Sequence, residues 1–107
     1  MNYRIILAII AKSDLREIFR YVELNDSSEH ADKLVSGIER AITSLSVMPQ
    51  RGHCPPELER VGVHEFREIH FKPYRIIYSI HGQDVIVKSI LDGRRDMQNL
   101  LQQRLLR

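Results

Sequence analysis

Residues 66–80 read FREIHFKPYRIIYSI and set Arg67, His70, Lys72 and Arg75 on what reads as two adjoining strands. A further pair, Arg94-Arg95, follows the next apolar run. Arginine makes forked, charge-assisted contacts with phosphate or carboxylate, so this pattern raises the question of a bound anion. If Arg67, Arg75 and Arg95 converge across neighbouring strands, they form an anion site. Otherwise each is a solvated cation or pairs with Glu65, Glu68, Asp92 or Asp96. His70 is the candidate acid–base group beside them, since an unperturbed imidazole titrates near about 6.5. Strand alternation, however, turns His70 away from the face of Arg67 and Ile69. The candidate anion- or target-binding set is thus Arg67, Lys72, Arg75, Arg94 and Arg95. A nucleolytic site would draw on Arg67, His70, Arg75 and Arg95. His53-Cys54 with His64 matches no zinc spacing, and no metal or cofactor is expected. No phosphate-loop glycine motif, Ser-His-Asp signature or cysteine-nucleophile context is present.

The chain that must position these residues has 107 of them, 43% hydrophobic and 28% charged, which suits one folded domain over residues 1–107. The longest apolar run, residues 5–11, falls well short of the roughly 20 residues of a membrane span. No cleavage site follows it, so no signal peptide is expected. The one cysteine excludes an internal disulfide and suits a reducing cytoplasm. The net charge of +2 is unevenly spread: residues 1–63 carry 8 Lys+Arg against 9 Asp+Glu, residues 64–107 carry 8 against 5.

Hydrophobic periodicity predicts an isoleucine-rich strand over residues 3–10, buried on both faces. Leu15, Ile18, Phe19 and Val22 then mark one face of a helix. A second helix carries the stripe Ala31, Leu34, Val35, Ile38, Ile42 and Leu45 and stops before Pro49. Its N-terminus is capped either by an Asp26/Glu29 capping box or by Ser27. The short turn between the helices predicts an antiparallel hairpin. Residues 50–62 read as a loop punctuated by Gly52, Pro55, Pro56 and Gly62. Strands follow at roughly 63–71, 74–81 and 84–91, with turns at Lys72-Pro73 and Gly82-Gln83. Tyr74, Ile76, Tyr78 and Ile80 form a stripe expected to pack against the helices. Met97, Leu100, Leu101, Arg104 and Leu105 predict a short C-terminal amphipathic helix. The predicted class is α+β: an N-terminal strand, a helical hairpin and a three-stranded antiparallel meander in one four-stranded sheet.

Four stretches carry a family resemblance. DLREIFRYV resembles the first helix of the RelE/ParE toxin superfamily. AITSLSVMPQRGHCPPEL resembles its second helix and the Leu-x-x-x-Pro, Gly, Pro-Glu-Leu run that follows. REIHFKPYRIIYSI and VIVKSILDGRRD resemble its strands, in the same order. Together they span residues 11–107. The resemblance implies a toxin of a type II toxin–antitoxin pair, folded as a helical hairpin on a four-stranded antiparallel sheet. It implies a cognate antitoxin, ParD-like or similar, as partner. RelE-like members cut messenger RNA on the ribosome, whereas ParE-like members act on DNA gyrase and are not known as nucleases. Arg75 matches the superfamily's strand arginine, Arg95 the arginine after the last strand, and Arg67 a strand lysine. Two departures weigh against cleavage. Ile69 stands where RelE-like proteins keep a second cation, and residues 96–101 supply no Tyr or His as proton donor. The sequence is therefore read as closer to ParE, with gyrase as expected target and the ribosome-dependent nuclease as the alternative.

Overall fold

The computed structural model describes residues 2–106. Its elements are β1 (Arg4–Leu7), α1 (Ile9–Asn25), α2 (Ser28–Ser44), a 3-10 turn (Pro49–Arg51), α3 (Pro56–Glu59), β2 (Arg67–Phe71), β3 (Tyr74–His81), β4 (Asp84–Asp92) and α4 (Met97–Leu105). The strands form one four-stranded sheet in the order β1-β4-β3-β2. The meander β2-β3-β4 is antiparallel as expected. The pairing of β1 with β4 is parallel, so the sheet is mixed rather than wholly antiparallel. The long connection after α2 starts β2 in the direction of β1, and two hairpin reversals bring β4 back to that direction.

The isoleucine-rich run divides earlier than its composition predicts. The strand stops at Leu7 and α1 begins at Ile9. It is not buried on both faces: Arg4 and Ile6 are exposed while Ile5 and Leu7 turn inward. An edge strand under a helical hairpin has only one covered face. Of the two caps foreseen for α2, Ser27 is the one used: its hydroxyl accepts from the His30 N–H at 3.1 Å. The Asp26 carboxylate instead lies 2.7 Å from His30 Nδ1.

Two cores sandwich the sheet. The first sets Ala11, Ile38, Ile42 and Leu45 of the hairpin against Ile69, Ile76, Tyr78, Val85, Val87 and Ile90. Gly37 in α2 admits the Phe71 ring, whose Cζ would collide with a Cβ at that position. The second core covers the opposite face with Leu58, Phe66, Met97 and Leu101 packed on Ile77 and Leu91. Residues 50–62, expected as irregular, therefore contain α3, anchored by the fully buried Leu58. The C-terminal helix is held by Met97 and Leu101, each buried side chain contributing about 1.5–3 kcal/mol. Strand β2 is shorter than predicted because Val63 and Phe66 turn into this second core instead of continuing the ladder.

Candidate target-binding cleft and the arginines around it

The register decides which arginines can meet. Arg67 lies opposite Tyr78, and His70 lies opposite Arg75. Residues 67 and 69 face the hairpin, while 68 and 70 face the other way, so Arg67 and Arg75 stand on opposite faces of the sheet. They do not converge. Arg67 acts as a pin for the loop after α2, its guanidinium donating to the carbonyls of Gln50 at 3.1 Å and Gly52 at 2.8 Å. The Tyr78 hydroxyl works beside it, donating to the Pro49 carbonyl at 2.6 Å and accepting from the Gly52 N–H at 3.1 Å. A Cβ at Gly52 would lie 2.5 Å from that hydroxyl and 2.6 Å from the Glu68 carbonyl, so the close approach requires glycine. Tyr78 is fully buried, and burial pushes its phenol above the ordinary value.

Arg75 sits under α3 in a knot of charge. It donates from Nε to Glu68 Oε1 at 2.5 Å and from Nη2 to Glu68 Oε2 at 3.0 Å. It also forks onto Glu57, Nη1 to Oε2 at 2.8 Å and Nη2 to Oε1 at 2.7 Å. Glu68 is 1% exposed. The bonds Arg75 donates to Glu57 and then to Glu68 hold its guanidinium above its ordinary value against burial, which works the other way. The same bonds from Arg75 hold the Glu57 carboxyl below its own. With four charge-assisted bonds from its five N–H groups, Arg75 has one N–H left, on Nη1, and no open face for a phosphate. His70 is exposed beside this knot, its Nε2 3.4 Å from Glu68 Oε1. Lys72 is exposed in the β2–β3 turn.

The arginines that do share a cavity are Arg94, Arg95 and Arg104. They line a cleft of about 390 Å³ between α1, the ends of β3 and β4, and α4, together with Tyr21 and Tyr74. Arg94 forks onto Asp92, Nη2 to Oδ2 at 2.7 Å and Nε to Oδ1 at 2.9 Å. That bond is the main reason the Asp92 carboxyl lies below its usual range. Arg104 forks onto the buried Asp14 at 3.0 Å through both terminal nitrogens and donates to the Ser89 hydroxyl at 3.1 Å. Asp14 also accepts from the Ile90 N–H at 2.9 Å. It occupies the place a β1 residue would take, because β1 pairs with β4 only as far as Val87. Arg95 is exposed and has no ion-pair partner among the described residues. The cleft's three arginines stand against Asp14, Glu17 and Asp92, so its formal charge balances.

Arg94 and Arg95 were legible as a pair after the last strand. Arg104 was visible only as part of a helix stripe, and nothing in sequence spacing ties it to Asp14, 90 positions away. Tyr21 and Tyr74 carry no sequence mark of a cleft. Burial, with the charge of Asp92, raises the Tyr74 phenol.

With this geometry in hand, comparisons with known proteins are specific. Residues 5–97 match the family model of the ParE toxin of type II toxin–antitoxin system, parDE. The chain is 32% identical over 94 residues to Toxin ParE3 of Caulobacter vibrioides, covering 88% of this chain and 90% of that protein. Its fold is similar to the chromosomal ParDE toxin–antitoxin system from P. aeruginosa, with TM-score 0.69 at 19% identity, covering 82% of this chain and 92% of that one. It is also similar to the toxin–antitoxin complex RelBE2 from Mycobacterium tuberculosis, with TM-score 0.64 at 16% identity, covering 86% and 92%. The two structural likenesses establish the fold alone, while the family model and the curated relative place the sequence: the chain belongs to the ParE toxin family of type II toxin–antitoxin systems.

Proposed function

We propose that this toxin arrests growth by acting on DNA gyrase in the cytoplasm and that a co-encoded, ParD-like antitoxin neutralises it. The observation that carries the choice of gyrase over messenger RNA is the pairing of the arginines. Cleaving RNA requires cations free to neutralise the scissile phosphate and a group to protonate the leaving oxygen. Arg75 is taken by Glu57 and Glu68, Arg94 by Asp92 and Arg104 by Asp14. Arg67 is spent on backbone carbonyls. Arg95 and Lys72 remain to meet a target. A protein surface fits such a sparse, charge-balanced cleft better than a polyphosphate does.

An antitoxin seat is supported by a second cleft of about 570 Å³ between α1, α2 and β1. Leu7, Leu15, Phe19 and Val35 supply its apolar wall, and its rim sets Lys12, Arg16 and Arg20 against Glu23 and Glu39, leaving one net positive charge. An amphipathic helix with an acidic edge fits that chemistry. No helix among the described residues is long and apolar enough to cross a membrane.

Induction in the native host tests the reading. Growth arrest, relieved by co-expressing the neighbouring antitoxin, is expected, with DNA breaks appearing before truncated messages. Codon-phased cuts in messages, lost on His70→Ala, with DNA intact, would replace it with a RelE-like ribosome-dependent endonuclease.

A further inference from the structure

Glu68 sits at the centre of an arrangement that the toxin reading does not use. The cluster Arg75, Glu57 and Glu68 sums to one negative charge, and Glu68 is 1% exposed. An uncompensated buried carboxylate is costly, so positive charge is favoured on its open side. That side is flanked by two imidazoles. His53 Nε2 lies 3.1 Å from Glu68 Oε2, and His70 Nε2 lies 3.4 Å from Glu68 Oε1. One ligand atom from each of the three residues lies within 4.8 Å of the others.

We propose that His53, Glu68 and His70 bind a late first-row divalent metal ion such as Zn²⁺ or Ni²⁺. Ligand atoms about 2.0–2.1 Å from a common metal are roughly 3.0–3.4 Å apart; the His53 Nε2–Glu68 Oε2 separation of 3.1 Å meets this, while His70 Nε2 lies 3.4 Å from the other oxygen and must swing toward the same ion. The histidine side chains are 62% and 44% exposed, so their rings are free to close the remaining gap. Each Glu68 oxygen already accepts from Arg75 and keeps a lone pair for the histidine side. Arg75 thereby orients the ligating carboxylate from behind, as outer-shell partners of metal sites do. The backbone holds the two halves in register: the His53 N–H donates to the Glu68 carbonyl at 3.2 Å, and the Glu68 N–H to the His53 carbonyl at 2.7 Å. Two imidazoles and one carboxylate favour zinc, nickel or cobalt over magnesium or calcium, which prefer oxygen. The ion would clip the loop after α2 to the edge strand β2 and leave a coordination position open to solvent. Nearby Cys54 takes no part; its thiol donates to the Val63 carbonyl at 3.4 Å.

The test is calorimetric titration of the untagged full chain with ZnCl₂, NiCl₂ and MgCl₂ in a non-chelating buffer. One equivalent of zinc or nickel and no heat from magnesium are expected. His53→Ala with His70→Ala should weaken zinc binding at least about 100-fold. His30→Ala and His81→Ala should leave it unchanged. Cobalt loading provides an independent readout: a visible absorption band lost in the single variants His53→Gln and His70→Gln. These exposed positions keep the fold testable, which circular dichroism checks. Zinc binding by the double variant equal to that of the parent, or no stoichiometric zinc binding by the parent, would overturn the site. Neither result bears on gyrase.

Discussion

Arg75 lies within the antiparallel meander and Arg95 just after its last strand, and the two invite the same reading from sequence, yet the fold treats them in opposite ways. Arg75 points to the face covered by α3, where its side chain is 13% exposed and held by two carboxylates. Arg95 follows β4 at the mouth of the cleft, exposed and without an ion-pair partner among the described residues. The difference lies in what covers each face. A short helix capped by two prolines carries Glu57 over the β3 position, whereas α4 leaves the turn before it open. One arginine is held inside the fold by two carboxylates, and the other stays open, as the proposed contact with a target requires.

The sharpest way to break that contrast is to remove the buried charge. Arg75→Ala strands Glu68 and Glu57, and should cost about 3–5 kcal/mol in urea unfolding. A change below about 1 kcal/mol would show that the knot is not structural. Next in size is the link between α1, β4 and α4. Asp14→Ala unpairs Arg104 and leaves the Ile90 N–H without its acceptor, for an expected loss of about 2–4 kcal/mol, most of it recovered by no single change at Arg104. Hydrogen exchange should show α4 opening first.

A smaller effect comes from acid. The Glu57 carboxyl is depressed in the folded state below its ordinary value of 4.5. Its contribution is therefore fully present above about that pH and is lost as pH falls through the lower folded value. Glu57→Gln should flatten this part of the acid-unfolding curve and leave neutral-pH behaviour of the pH slope unchanged. A mutant curve parallel to the parent between pH 5 and pH 2, a window set about the ordinary carboxyl range, would contradict the assignment. Smallest in stability is Arg95→Ala, expected within about 0.5 kcal/mol of the parent. Its effect should appear in toxicity instead, and Lys12→Ala or Arg40→Ala on the helices should be milder.

Which parts of this were legible in the sequence follows from the range of the interactions. Strand β3, the helical stripes and the Arg-Arg after β4 depend on local periodicity and were readable. The β1–α1 boundary was not, because Ile5, Ile6, Ile9 and Ile10 look alike to any periodicity and only the edge position of β1 separates them. The partners of Arg75 were half visible: Glu68 is a near neighbour across the hairpin, but Glu57 comes from a stretch read as loop. A pro-pro-Glu-Leu-Glu run was a helix start in disguise, with proline in its first turn. Of the two alternatives left open for the arginines, convergence of Arg67 with Arg75 fails on strand parity: positions 67 and 75 can share a face only in another register, and Arg67 pairs with Tyr78. His53 joining Glu68 and His70 depended on a single bridge between a loop and an edge strand, which no spacing announces.

Whether the exposed Arg95 corner serves a protein target, as proposed, rather than a phosphodiester is read directly in two parallel reactions. Purified chain should be added to a gyrase supercoiling reaction and, in parallel, to a translation reaction programmed with one message. Supercoiling should be inhibited by the parent and by Lys12→Ala, and several-fold less by Arg95→Ala of equal stability, and the message should stay whole. Untouched gyrase beside codon-phased cuts in the message would contradict the proposal.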